Sequence, residues 1–486
     1  MQPKLELLTH ELVGRILDEA FQILIDPGVK VLSKEARNLL TAGGAQIDET
    51  HEIAHIPENV IRQALNDAPG EFQLYDQNGN PAVKYGGNSV HFDPGSSGLN
   101  VLDPETLEHK PALTPDLVRL IQVTEMLPQY AAQSTAVVCS EVPKSIGDLY
   151  RLYLVMRYSK KPIVTGAFSI KTLQFMFDML AIYSGNRLLL AEKPTAVFDV
   201  CPTPPLTWTN FAAQHMIELA RTRVPAQMVP MPLAGAAAPV TLLGSVVQHA
   251  AESLSGIAIH QLASPGAPIV WGGAPTIFEM RHGTTPMGAI ETAMIDAAYA
   301  QVGKSLGLPT HAYLGATDAK IVDAQAGMQS GMTALVGALA GINMISGAGM
   351  LDFLICQSAE KLVIDAEGIA MTQRLMDGLQ VRSENLATAF FEGIDFKADF
   401  LNQKATRNLF RLEQHQHSHV IDRTSFLQWQ SEGSMDTFTR ARDQVRKLIA
   451  SYQRPEIELD KERELVDLVT SLAYQAGMEQ LPSLDL

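Results

Sequence analysis

The chain is poor in positive charge: 37 Lys and Arg stand against 53 Asp and Glu, a formal net charge of -16. A field of that sign repels phosphate backbones and attracts cations, which argues against a nucleic-acid partner. Cysteine is scarce as well. Cys139, Cys201 and Cys356 lie far apart, match no zinc spacing and leave one unpaired in any disulfide scheme, as expected of a protein of the reducing cytoplasm. No apolar run approaches the roughly 20 residues of a membrane span. The opening stretch MQPKLELLTHELVGRIL reads as a charged amphipathic helix without the apolar core of a signal peptide, so neither secretion nor membrane insertion is expected. Low-complexity segments are missing, and so are G-x-S-x-G and H-E-x-x-H.

What is present is a repeated unit. At 46% hydrophobic and 19% charged the composition is that of a compact globular chain. From residue 90 to 380 a short apolar strand, a turn rich in small residues and a helix recur. The strands are SVHFDPGSS, QSTAVVCS, PIVTGAFS, TAVFDVCP, AQMVPMPLAG, APIVWGGAP, PTHAYLGATD and INMISGAGM, eight in all. Pro or small polar residues in SEVPKSIGDL, APVTLLGSVV and TTPMGAIETA mark helix starts. Alternating βα units imply a parallel sheet, and eight of them at intervals of about 35 to 40 residues suit a (β/α)8 TIM barrel. Residues 1–89 read as a mainly helical N-terminal region and 381–486 as a helical C-terminal region. These additions are expected to pack on the barrel and to supply a homo-oligomer interface or a docking surface.

Loops after barrel strands line the active site, so strand ends are weighed first. They carry Phe92, Phe168, Phe198, Trp271 and Tyr313 beside many glycines. Any one of these rings suits an ordinary core. Five near one mouth of an acidic protein would also make a cage for a substituted ammonium, whose charge is drawn to ring faces within about 6 Å. Arg281, His282, His311 and Gln325 are candidates for a substrate carboxylate. The turn after the seventh strand offers Asp318 and Lys320, with Asp318 also fit to cap the next helix and Lys320 also fit, if desolvated, for the imine of a Schiff-base lyase or aldolase. A non-catalytic amine- or corrinoid-binding scaffold is a further alternative. Cys139 and Cys201 read as buried apolar residues. The run HQHSH, with His415, His417 and His419, reads as a surface turn, and no metal site is expected. SGAGM, Ser346 to Met350, lacks the nearby Lys or Arg of a phosphate cradle.

GATDAKIVDAQAG (Gly315 to Gly327), ALVGALAGINMISGAGMLD (Ala334 to Asp352) and VIDAEGIAMTQRLMDGLQV (Val363 to Val381) together resemble the trimethylamine methyltransferase superfamily, and specifically its members without pyrrolysine. The resemblance extends over nearly the whole chain. It implies a (β/α)8 protein that moves a methyl group from a methylamine or quaternary amine to the cobalt of a separate corrinoid protein, with no tightly bound cofactor of its own. In pyrrolysine-bearing relatives the unusual residue belongs in the turn after strand seven, here Thr317 to Lys320, where every residue is an ordinary one. That favours glycine betaine or a related betaine as substrate, because a quaternary ammonium needs no such activation. The chain has no D-x-H-x-x-G cobalamin signature, so the corrinoid is expected on a partner protein.

Overall fold

The computed structural model describes residues 3–396, 399–414 and 418–484. Its centre is a ring of eight parallel strands: β1 (His91–Pro94), β2 (Gln133–Ser134), β3 (Ile163–Thr165), β4 (Ala196–Val200), β5 (Ala226–Met228), β6 (Ile269–Val270), β7 (His311–Ala312) and β8 (Met344–Ala348). β2 to β6 pair in sequence order, and β7, β8 and β1 form a second parallel sheet. A bridge between Trp271 and Thr310 joins β6 to β7, and a bond from the Ala131 amide to the Phe92 carbonyl joins β2 to β1. The ring therefore closes as a TIM barrel, with each of the eight expected strands in place.

A helix follows every strand: α1 (Thr114–Met126), α2 (Gly147–Tyr158), α3 (Ile170–Ser184), α4 (Asn210–Thr222), α5 (Leu242–Ala263), α6 (Ile290–Ser305), α7 (Ala324–Leu339) and α8 (Ala359–Met376). Their starts are set by side chains that accept the first free amides. Thr209 Oγ1 takes the Ala212 amide, Thr241 Oγ1 that of Gly244, and Ser358 Oγ that of Lys361. The helices pack their apolar faces on the outward residues of the strands in one continuous core that includes Phe92, Phe198, Trp271, Ile345 and Leu314.

Inside the barrel the two ends differ. The lower end is filled by Val164, Val197, Val270 and Met344 together with Leu74, Val83 and Tyr85 of an antiparallel hairpin, Phe72–Tyr75 with Pro81–Tyr85. That hairpin is a plug, and it leaves the upper end as the way in. The segment before the barrel holds three helices, His10–Ile25, Lys34–Gly43 and Glu58–Asp67, and also several short strands that the helical reading of 1–89 does not anticipate. After the barrel, helix Thr437–Ser451 packs on α8 and α1, while Leu459–Gln475 packs on α3 and α2. Arg157 of α2 meets Glu462 there at 2.8 Å. No helix of the described residues is long and apolar enough to cross a membrane.

Candidate active site

Successive residues of a strand face opposite ways, so each barrel strand presents one set to the helices and the other to the lumen. Three of the five expected cage rings belong to the helix side. Phe198 lies edge-on to Phe177 of α3 and His215 of α4. Trp271 donates its indole N–H to the Tyr299 carbonyl of α6 at 3.0 Å and meets His249 of α5 edge-on. Phe92 lines a small space with Leu314, Ala334 and Ile364, between β1 and the last two helices. Phe92, Phe198 and Trp271 are therefore core, and the five-ring cage is not formed. Phe168 does stand at the mouth, 47% exposed, but the guanidinium of Arg151 already lies over its ring at 4.9 Å. Of the five, Tyr313 alone points into the lumen.

The lumen carries a polar layer above the apolar plug. Tyr313 donates to Asp199 Oδ2 at 2.7 Å, Gln227 donates to Asp199 Oδ1 at 2.7 Å, and Tyr85 of the plug donates to Gln227 at 3.2 Å. Opposite, the Ser346 hydroxyl donates to Asp93, while Nε2 of His311 lies 3.0 Å from the Ser346 oxygen. When the hydroxyl proton lies on the Asp93 bond, Nε2 of His311 is the donor to the Ser346 oxygen. Burial depresses the His311 imidazole to about 3, so it is uncharged. His311 and Tyr313 touch edge to face at 5.0 Å. A Cβ at Gly272 would lie 2.4 Å from the Met228 carbonyl and 2.9 Å from His311 Nδ1, so this position just after β6 has to be glycine for the imidazole to fit.

The two acids are the chemical centre of this layer. Burial pushes the Asp93 carboxyl well above the usual carboxylate range, and the nearby Asp199 charge adds to it. One of its oxygens, Oδ2, has no partner. Burial raises Asp199 to about 6, against the opposing pull of the Tyr313 and Gln227 bonds and of Arg151. Asp199 is enclosed by protein yet keeps accessible surface, as does the neighbouring Cys201. Cys201 is thus not the inert buried residue expected. Burial holds its thiol up to about 12, so it is no thiolate nucleophile. Cys139 is buried as expected, and its thiol is likewise raised to about 12.

The turn after β7 is held by structure rather than poised for reaction. Asp318 accepts the Gly288 amide at 3.0 Å and the Gln329 side chain at 3.2 Å, tying this turn to the one before α6. It does not cap α7; Asp323 does, and the helix begins at Ala324. Lys320 bonds the Asp318 carbonyl at 2.7 Å, pairs with Asp352 at 3.1 Å and lies 3.8 Å over the Phe353 ring. Its side chain is 55% exposed, which is not the desolvated lysine that imine chemistry needs. Asp352, Phe353 and Leu354 all have positive φ, at 49°, 55° and 70°, a left-handed turn in three non-glycine residues. It brings Phe353 under Lys320 and packs Leu354 against the cluster of Tyr313, Val229, Ala274 and Met287 at the mouth.

The other expected contacts are on the outside. Arg281 and His282 are exposed in the 279–284 turn, and Gln325 is exposed on α7, bonded to Gln329 at 3.3 Å. Only His311 of the carboxylate candidates reaches the lumen, and it is neutral. His415 and His417 lie outside the described residues. Sequence reading missed Asp93, Asp199, Gln227 and Ser346. A signal was there: Phe-Asp occurs in both HFDP and VFDV, and in each the residue after the outward ring is the inward acid.

The family model described as trimethylamine methyltransferase (MTTB) matches residues 1–475. The chain belongs to the trimethylamine methyltransferase family. It is 31% identical over 465 residues to a trimethylamine methyltransferase of Methanosarcina thermophila, covering 94% of this chain and 95% of that one. It is 25% identical over 480 residues to a glycine betaine methyltransferase of Desulfitobacterium hafniense (strain Y51), covering 98% of this chain and 99% of the relative. The crystal structure of Methanosarcina barkeri monomethylamine methyltransferase superposes with a TM-score of 0.51 at 14% identity, covering 90% and 87% of the two chains, and shares the fold. This trimethylamine methyltransferase family member is accordingly a methyltransferase.

Proposed function

We propose that the protein transfers a methyl group from a quaternary amine to the Co(I) of a corrinoid carried by a second protein, with glycine betaine or a relative such as proline betaine, carnitine or γ-butyrobetaine as donor. One observation carries this reading: Asp93 and Asp199 face the lumen, and no cation among the described residues touches either, the charge of Arg151 reaching Asp199 only from a distance. Two enclosed acids with no counter-ion in contact are costly to ionise, and a cation that cannot give up a proton relieves that cost for as long as it stays bound. A tetra-alkylated nitrogen is such a cation. The Tyr313 ring, held by its bond to Asp199, presents an aromatic face beside the acids.

The chain's part in the reaction is to bind, orient and exclude water. Asp93 and Asp199 hold the ammonium electrostatically, and Leu354, Val229, Ala274 and Met287 close apolar surface around it. One methyl group is thereby left facing the open mouth. The corrinoid supplies the electron pair that takes this methyl; the C–N bond breaks, and nitrogen keeps its pair as a neutral tertiary amine that needs no proton. The need for a general acid thus falls away, and proximity and desolvation supply the acceleration. The glycine betaine methyltransferase of similar length supports this donor class. The test mixes the protein with Co(I) cobalamin, then with a reduced corrinoid protein, and follows the methyl-Co(III) spectrum with each of the four amines. Transfer from at least one is expected. Absence of transfer from all, with either acceptor, rejects the reading.

A further inference from the structure

Arg151 is the charged group the account above leaves unused. It lies on α2, which is buried along both faces, and its side chain is wholly enclosed. Nη1 donates to the Thr135 carbonyl at 2.9 Å and to Ser97 Oγ at 3.1 Å, which places the guanidinium at the ends of β2 and the loop after β1. Nε and Nη2 have no hydrogen-bond partner among the described residues. These two nitrogens form one edge of the guanidinium plane, the side-on fork whose parallel N–H bonds match the two oxygens of a carboxylate. Leaving charged donors buried and unbonded costs far more than exposing them, so an empty fork marks a place where something binds.

No carboxylate of the described residues fills that place. Asp148 is the acid acting most strongly on Arg151, but its oxygens are taken by the Leu149 and Phe168 amides and the Thr172 hydroxyl. The next acid is Asp199, which is held by Tyr313 and Gln227. Arg151 and Asp199 thus feel each other across the mouth without touching. Between them stand small or accessible groups: Gly166, whose absent Cβ would lie 3.7 Å from the Asp199 side chain, and exposed Ser97 and Phe168. The guanidinium carbon lies 4.9 Å from the centre of the Phe168 ring, which is an aromatic contact and no hydrogen-bond acceptor for the edge.

We infer that Arg151 binds the carboxylate of a zwitterionic donor through its free Nε and Nη2 edge, opposite the acids that hold its ammonium, and so selects betaines over quaternary amines without an acid group. The inference rests on the reading that the lumen binds a quaternary amine, and it adds the residue that recognises the other end. It also explains why an arginine is enclosed beside a lumen built on two acids. A zwitterion needs a field of both signs, and a simple tetra-alkylammonium does not.

The experiment compares wild type, Arg151→Gln and Arg151→Lys with two donors, glycine betaine and tetramethylammonium, and also measures calorimetric binding of tert-butylacetate, the uncharged-headed isostere of glycine betaine. Thermal melting shows which variants are folded. Losing a bidentate charged contact should lower kcat/KM for glycine betaine by about 100-fold in the Gln variant. Lysine, a point charge without the fork, should lose about tenfold. Tetramethylammonium should change by no more than about threefold, since loss of a contact it never makes is not felt. Tert-butylacetate should bind wild type and not the Gln variant. Equal losses for both donors, or tert-butylacetate binding that ignores Arg151, overturn the inference. If wild type transfers methyl from neither donor yet binds tert-butylacetate through Arg151, the methyltransfer reading fails and the anion site stands.

Discussion

Phe198 and Asp199 are neighbours on one strand and belong to different worlds. The ring packs among helices and holds the barrel together; the acid faces the lumen and is accessible from the mouth. Phe92 and Asp93 repeat the division on β1. The wall of this barrel thus separates stability from chemistry by a single residue step, and substitutions on its two sides should fail in different ways. The largest effect is expected inside. Asp199→Asn removes the charge but keeps the shape, and methyl transfer from glycine betaine should fall by about 100-fold, as for loss of a preorganised electrostatic contact. Phe198→Ala should instead cost about 3–5 kcal/mol of folding stability by opening a core cavity. Denaturant melts and kinetics on both variants check the pair. An Asp199→Asn enzyme with full activity would erase the comparison.

The pH dependence sharpens it. Asp199 is held at about 6 in the unliganded protein, and a bound ammonium favours its ionised form. Amine binding therefore releases a proton when the solution lies near or below that value. The Asp199 contribution to affinity should weaken toward about tenfold per pH unit below that value, as linkage to one proton requires, while Asp93, whose carboxyl is raised further, adds its own proton release at higher pH. Calorimetry of glycine betaine in buffers of different ionisation heat measures both the slope and the proton release. The betaine carboxylate ionises well below this window. In Asp199→Asn the break near 6 should vanish; a break that persists there would belong to another group.

The eight strands could be read from sequence because the βα repeat is long-range and redundant. Each strand is framed by a turn and a helix start, and the errors of one unit are corrected by its neighbours. The side of the wall could be read too, but only from alternation: HFDP and VFDV each place a large apolar residue beside an acid, and in a helix-covered barrel the apolar residue goes outward. Weighing single aromatics at strand ends selects the helix-facing set, which is why Phe92, Phe198 and Trp271 were expected in the site and are found in the core. Arg151 gave no such signal. It sits within GDLYRLYLVMRY, a helix buried on all sides, where an arginine reads as surface until the strand ends it reaches are known. The plug was hidden for a similar reason, since a hairpin of two short strands acquires its role from the barrel it closes.

A ring on each side of the wall gives the next test. Trp271→Leu should destabilise the fold and leave amine affinity unchanged, because its indole bonds the Tyr299 carbonyl and never meets the lumen. Tyr313→Leu should weaken quaternary-amine binding by roughly 0.5–2 kcal/mol, the range of a cation–π contact. Calorimetry with glycine betaine, next to melts of both proteins, separates the two. Equal affinity losses would mean that the strand face does not decide which ring meets the amine.

The smallest effect is expected at Lys320, the residue the sequence offers for imine chemistry. Its ammonium is shared among the Asp318 carbonyl, Asp352 and the Phe353 ring, and more than half of its side chain remains in water. Screened contacts of this kind contribute less than about 1 kcal/mol each. Lys320→Met should therefore loosen the left-handed turn at Asp352 to Leu354 slightly and leave methyl transfer nearly intact, by contrast with Asp199→Asn. Borohydride in the presence of a keto acid should leave no adduct on the wild-type lysine. A trapped adduct, or a loss of transfer as deep as that of the lumenal acid, would move the chemistry from the inner wall to the turn and end the division between the two.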